Sequence, residues 1–335
     1  MKQFRKKSLA MLTALTLSVS ALAACAPTAA LKTVEAEYPA PIAEGKTAEA
    51  FAVSDEHRNW LETYHKKTAV SAAYQTELRG YYRNLLPKIL YEEDENTVCS
   101  PLNIYMALAM LSEITEGDTR KQILETLEAE DAEVLQGRIS ALWESNYLDT
   151  PLVKCLLADS LWLNESVRYN EETLSRLAKT YYASSFRGKP GSPEMDDALR
   201  KWTDQNTGGL LTEYTKNLKL EPDTVLALVT TIYYKAAWVD EFYAAGNTKE
   251  TFHGTKGDAT VDMMHQTDTM GVMEAEKFTA VRLPLKDSGD MCFYLPKEGV
   301  AVNELTEDEA VFDALPPTDT AQWTSYRVNL TLPKF

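Results

Sequence analysis

The 335-residue chain reads as an α+β protein built around a large β-sheet. Helical periodicity dominates its first half, and strand-like pieces joined by turns fill its second half. Between them, Val225 to Tyr234 is an almost unbroken run of apolar or β-branched residues. That run lacks the alternation of a strand with one wet face and suits a strand covered on both sides, in the middle of a sheet. A buried helix is the competing reading. Val, Thr, Ile and Tyr are stiff or bulky in a helix, however, and pack well on a pleat. Glu221-Pro222-Asp223 supplies the turn before the run, and Trp238 and Phe242 are large anchors after it.

The first residues stand apart from the fold. Lys2, Arg5, Lys6 and Lys7 form a basic head, and Ser8 to Ala24 is an apolar, small-residue run without charge. It is too short for a stable membrane span and reads as a secretory signal over 1–24. It ends Leu22-Ala23-Ala24-Cys25, which resembles a bacterial lipobox. By that resemblance Cys25 is the first mature residue and carries lipids that hold the protein to the outer face of a bacterial membrane. An ordinary signal cleaved near Ala24, leaving a free thiol, is the alternative. Residues 25–54 are rich in Ala, Pro, Thr and Glu without hydrophobic period, and read as a flexible tether ahead of a single domain over 55–335.

Removing four basic residues takes the net charge from -16 to -20. So acidic a body is repelled by nucleic acid and anionic lipid, which excludes nucleic acid as a partner and leaves the membrane to the anchor. Cys99, Cys155 and Cys292 are far apart and sit in apolar settings. No metal site or disulfide framework is expected from them, although one pair is free to bond in an oxidising compartment.

Along the chain, Asp55 to Leu90 is helical, weakened at Gly80 and kinked or ended at Pro87. A short strand over Thr97 to Cys99 leads into Ser100-Pro101, a helix start with a hydroxyl at the cap and proline in the first turn. Leu102 to Ile114 is a nearly all-apolar helix. Amphipathic helices follow to about Leu127, with Ile123, Leu124 and Leu127 inward, and over Asp131 to Leu148. Leu152 to Leu163 is a strand, Asn170 to Tyr182 a helix, Phe186 to Gly188 a short strand, and Met195 to Gln205 a helix closed by Gly208-Gly209. Beyond the central run come strand-like pieces at Thr251-Phe252, Thr260 to Met264, Gly271 to Glu274, Phe278 to Leu283 and Met291 to Leu295. A short helix near Asn303 to Leu315 and a strand over Arg327 to Leu332 complete the chain.

Catalytic chemistry is scarce. There is no H-E-x-x-H, no G-x-S-x-G and no phosphate-binding glycine loop, so neither catalytic residues nor cofactors are expected. Cys292 with His253 or His265 is the nucleophile pair to weigh, but its alternating apolar neighbourhood favours a core cysteine. A tethered, acidic chain without a catalytic constellation favours a protein that binds or inhibits over an enzyme.

Four stretches, in order, resemble the serpin family. The first is Asn96-Thr97-Val98-Cys99-Ser100-Pro101-Leu102-Asn103-Ile104 with Gly117-Asp118-Thr119-Arg120. The second is Ala158-Asp159-Ser160-Leu161-Trp162-Leu163. The third is Leu199 through Trp202 to Asn206-Thr207-Gly208-Gly209. The most specific is Leu228 to Phe252, with Ile232-Tyr233-Tyr234-Lys235, Trp238 and Phe242. The likeness runs from about Tyr74 to the end. It implies a large mixed sheet A, smaller sheets B and C, and no enzymatic activity. It also implies a monomer that traps a serine or cysteine protease by inserting a reactive loop into sheet A. Ser100, Asn103 and Thr230 fall at a shutter-like gate beneath that sheet, where Asn103 and Thr230 depart from the family's residues. An Asn103–Thr230 hydrogen bond is the expected substitute. Trp238 falls at the breach, where an inserting loop first enters. The sequence stops on Leu332-Pro333-Lys334-Phe335, so the loop and the C-terminal quarter of the fold are expected to be missing and this chain alone inactive. A non-inhibitory serpin-like binding lipoprotein and an unrelated hydrolase using Cys292 or a serine are the rival readings.

Overall fold

A computed structural model describes residues 31–90, 96–254, 256–313 and 322–335. The expected signal and Cys25 lie outside the described residues.

The chain opens with β1 (Lys32–Val34), α1 (Ala48–Ala52) and a 35-residue α2 (Asp55–Ile89). Ser54 caps α2 by accepting from the His57 N–H, and Pro87 sits in its last turn, where the helix stops. Gly80 does not interrupt α2, and the Glu128 carboxylate lies over the spot where a Cβ would project.

Three helices follow: α3 (Pro101–Glu113), α4 (Gly117–Thr126) and α5 (Ala132–Asn146). After them come β2 (Leu148–Asp149), β3 (Lys154–Asn164), α6 (Glu171–Thr180), β4 (Ala183–Gly188), α7 (Pro193–Asn206), the single turn α8 (Thr212–Thr215) and β5 (Leu226–Lys235). The remainder is β6 (Thr248–Gly254), β7 (Gly257–Glu274), β8 (Phe278–Leu285), β9 (Gly289–Pro296), the short helices α9 (Val302–Leu305) and α10 (Glu309–Asp313), and β10 (Thr324–Pro333).

The strands make two five-stranded sheets. The first corresponds to sheet A and is mixed: β3 runs parallel to β4 and antiparallel to β2 and β5, and β1 adds antiparallel to β4. β3 is its centre, with Leu157, Leu161 and Leu163 packed against α3, α5 and α6 in the main core. Its alternate residues Ala158 and Trp162 meet Met195, Leu199 and Trp202 of α7. A strand covered by helices on both faces has no wet side, which is why Cys155 to Leu163 is apolar almost throughout. The second sheet runs β10-β7-β8-β9, with β6 on the free half of β7. The two smaller sheets B and C that the resemblance implied are not distinguished here: one further sheet is present, and no separate third sheet occurs among the described residues.

Four expectations need correction. Thr97 to Cys99 is not a strand: Val98 is 97% exposed, and no described strand pairs with the segment. The tether expected over 25–54 is folded from Lys32 on, because β1 pairs with β4 and Phe51 is fully buried. The pieces at Thr260 to Met264 and Gly271 to Glu274 belong to one 18-residue strand, β7. Most important, β5 is not in the middle of its sheet. It pairs with β3 alone, and among the described residues no strand meets its other edge. Its first half is covered on both faces, Leu226 and Leu228 packing toward the main core and Ala227 and Val229 toward α7, whereas Ile232, Tyr234 and Lys235 are exposed. Apolar continuity therefore reported the covered faces only from Leu226 to Thr231 and carried no information about the edge.

Candidate functional site: the open edge of β5

Ten residue pairs bind β5 to β3, from Leu226 opposite Leu163 to Lys235 opposite Lys154. Side chains reinforce the ladder. The Ser160 hydroxyl donates to the Val229 carbonyl at 3.2 Å while accepting from the Trp162 indole at 2.9 Å. Thr231, buried, donates to the Ala158 carbonyl at 3.4 Å. Every other backbone N–H and C=O of β5 points away from β3, leaving a strand-long row of donors and acceptors for a further strand.

Beneath this edge lies the start of α3. Ser100 caps the helix: its Oγ accepts from the Asn103 N–H at 3.3 Å and donates to Asn103 Oδ1 at 2.8 Å. Proline at the next position has no N–H to leave unsatisfied. Asn103 is buried at 9% exposure, so that hydroxyl contact satisfies an oxygen that would otherwise be stranded. Thr230 stands on β5 opposite Asp159 of β3. The fold thus brings Ser100 and Asn103 together, but the expected Asn103–Thr230 hydrogen bond is absent among the described residues. Asn103 is instead paired with the capping hydroxyl of Ser100, three residues away.

Trp238 lies where β5 leaves sheet A. A bridge pairs it with Leu285 of β8, and the Val239 N–H donates to the Pro284 carbonyl at 3.0 Å. Its ring meets Phe242 edge-on at 5.7 Å and tilts against Phe293 at 6.5 Å. The half-buried tryptophan therefore joins the end of β5 to the second sheet.

Asp159 was quoted in the sequence only as part of a motif, and its significance went unseen. It is 2% exposed on β3 and one carboxylate oxygen, Oδ2, has no partner. Burial pushes its carboxyl up to about 8. The available signal was an acid inside the mostly apolar strand expected over Leu152 to Leu163.

The weighed nucleophile does not assemble. Cys292 lies on β9 opposite Arg282, and burial pushes its thiol up to about 11. His265 contacts Thr248, Thr331 and Glu250, while His253 contacts Asp258. Cys99, Cys155 and Cys292 are all free thiols, so no pair among them is bonded. Among the described residues no group of three His, Cys, Asp or Glu side chains is arranged to hold a metal, and no helix is long and apolar enough to cross a membrane.

The fold is an α+β body in which a mixed sheet walled by helices is joined to a second, antiparallel sheet. The family model described as serpin (serine protease inhibitor) matches residues 81–335, and the chain belongs to that family. It is 29% identical over 222 residues to a serpin-like protein of Thermococcus kodakarensis, covering 64% of this chain and 51% of that one. It is 26% identical over 258 residues to alpha-1-antiproteinase 2 of Equus caballus, covering 74% and 61%. The chain spans about half the length of the curated relatives it matches first (51% and 54%). Among solved structures, the thermophilic serpin tengpin in its latent state superposes with a TM-score of 0.69 at 22% identity, over 79% of this chain and 71% of that one. Thyroxine-binding globulin with a bound thyroxine derivative gives 0.69 at 21% identity, over 78% and 80%.

Proposed function

We propose that the chain is the body of a serpin-type inhibitor of serine or cysteine proteases. It acts outside the cell and is held to a bacterial membrane by lipids on Cys25. The observation that carries this reading is the open edge of β5: a strand hydrogen-bonded on one side only, beside the central strand of a mixed sheet. A reactive loop cut by its target protease adds there as a new strand. The new pairing makes main-chain hydrogen bonds and buries alternate side chains, and that release of free energy drives the trap. In this reading Ser100, Asn103 and Thr230 are the gate beneath the opening, and Trp238 stands at its entrance. None of them performs chemistry on substrate. The Ser100–Asn103 pair works by fixing the height of α3 under the sheet rather than by bonding to β5.

The test is a synthetic peptide matching β5 in length (ten residues) with small alternating side chains, mixed with the chain. Strand addition is expected to raise the unfolding temperature and protect the outward amides of β5, while a scrambled proline-containing peptide does neither. If the matched peptide leaves both unchanged, the reading is overturned. A non-inhibitory binding lipoprotein is the second reading, favoured by the self-contained Ser100–Asn103 pair. In that case the complete inhibitor-length protein binds proteases without forming an SDS-stable adduct.

A further inference from the structure

α2 begins well before the family-matched region, which starts at residue 81. At about 1.5 Å per residue its 35 residues reach about 50 Å. Leu78 and Tyr81 near its end sit in the main core, whereas Trp60 and Tyr64 near its start pack on Leu148, Val153 and Cys155. Ala236, just past β5, packs on the same cluster, and Cys155 stands opposite Tyr234. The start of α2 is therefore beside the C-terminal end of β5, the end next to Trp238.

The turn between β8 and β9 touches both. His57, in the first turn of α2, donates from Nε2 to Asp287 Oδ2 at 2.8 Å. Its ring meets Phe51 edge-on at 5.0 Å and stacks on Trp60 at 5.9 Å. The two side chains are only 13% and 20% exposed, so the contact is enclosed in a way that a solvated surface pair is not. The next residue, Ser288, accepts from the Tyr234 hydroxyl at 3.0 Å. On the other side of Asp287, the Lys286 N–H donates to the Ala237 carbonyl at 2.8 Å, and Lys286 Nζ donates to Glu241 Oε1 at 3.0 Å. Asp287 holds a φ of +56°, the left-handed backbone of a tight turn. The side chain that reaches α2 and the hydroxyl that reaches β5 are thus one residue apart on a short, stitched loop.

We propose that His57, Asp287, Ser288 and Tyr234 form a relay through which α2 positions the C-terminal end of β5. His57 fixes the turn, and the turn fixes Tyr234. Ile232, Tyr234 and Lys235 are exposed, so burial ties this end of the strand less firmly than it ties Leu226 to Val229. A strand end with few buried contacts opens locally unless something beyond its own ladder holds it. A further strand added to a frayed end first has to order it, and that cost weakens the addition. The four are positioning residues. Their effect on an added strand rests on strand addition at the open edge of β5, whereas the coupling of α2 to β5 does not.

Hydrogen exchange of the full chain, followed by mass spectrometry, reads the relay without any added strand. His57→Phe keeps a ring beside Phe51 and Trp60 and deletes the bond to Asp287. It is expected to raise exchange over 231–239 and 284–290 by about two- to tenfold, the worth of one hydrogen bond, and to leave 226–229 level. Ser288→Ala is expected to raise 231–239 by a similar factor while 48–58 stays protected. Ser288→Thr keeps the hydroxyl and is expected to hold the wild-type level. Combining His57→Phe with Ser288→Ala is expected to match the larger single effect rather than the product of the two, because both cut one path. In each single variant except Ser288→Thr, the ten-residue strand peptide is expected to bind about two- to tenfold more weakly. A rise over 48–58 alone in His57→Phe overturns the proposal, since the contact then only fastens α2. So does a Ser288→Ala profile unchanged over 231–239, or a double variant that shows the full product. If His57→Phe does not fold, Asp287→Asn decides the first link, because asparagine tolerates the same φ. If the peptide adds to no form of the chain while the exchange pattern holds, strand addition fails and the relay stands.

Discussion

Ser100, Asn103 and Thr230 separate a capping pair from a gate. Ser100→Ala removes the acceptor for the Asn103 N–H and leaves Asn103 Oδ1 unpaired, so a loss of about 1 kcal/mol is expected in urea unfolding. A double-mutant cycle between Ser100 and Asn103 is expected to show coupling of about 0.5–1 kcal/mol or more, and one between Asn103 and Thr230 coupling near zero. Strong Asn103–Thr230 coupling would restore the hydrogen bond expected from sequence. The thiols make a second case at this scale. Burial pushes Cys155 to about 12 and Cys292 to about 11, so thiolate is scarce at pH 8. Both are expected to resist iodoacetamide in the native chain and to label fully in denaturant. Ser100 could be placed from its S-P dipeptide because capping is local chemistry. Asp159 could not, because its burial depends on segments distant in the chain that pack on β3.

Among the elements, β3 and β5 differ in what holds them. Leu161 of β3 is fully buried among α3, α5 and α6, and Leu161→Ala is expected to remove about 2–5 kcal/mol by leaving a cavity. Along β5 the expectation is alternation: amides directed at β3 protected from exchange, and their neighbours open. Uniform protection along the strand would mean that its outer edge is occupied. Helix and strand positions were largely readable, since each has a period that shows in a short window. The failures have particular causes. β1 is three residues long and too short to show a period. β7 was read as two pieces because its middle, Thr267 to Thr269, is polar and exposed, and main-chain pairing with β10 carries the strand through it. Thr97 to Cys99 has strand-like side chains but finds no partner.

At the scale of the whole molecule, charge and tethering are the testable features. The chain without residues 1–24, with net charge -20, is expected not to float with anionic vesicles at physiological salt when it lacks lipid. Lipid on Cys25 is expected to confer membrane binding on neutral vesicles first. Flotation of the unlipidated chain with anionic vesicles would mean that a surface patch, rather than the anchor, governs attachment. The N-terminal segment also changes how the molecule is pictured. From Lys32 it is part of the body, joining sheet A at β4 and reaching the second sheet at Asp287.

The amino-acid order alone settled the α+β class, the positions of most helices and strands, and the membership carried by motifs such as Ile232-Tyr233-Tyr234-Lys235. These depend on side-chain periodicity and local capping, which a linear pattern displays. Three matters were left to the folded chain: that β5 has one described neighbour rather than two, that Asn103 pairs its oxygen with Ser100, and that Asp159 is buried with Oδ2 unpartnered. Each depends on which distant backbone or side chain arrives at a given atom. Hydrogen bonds and desolvation act over a few ångströms of space, irrespective of separation along the chain.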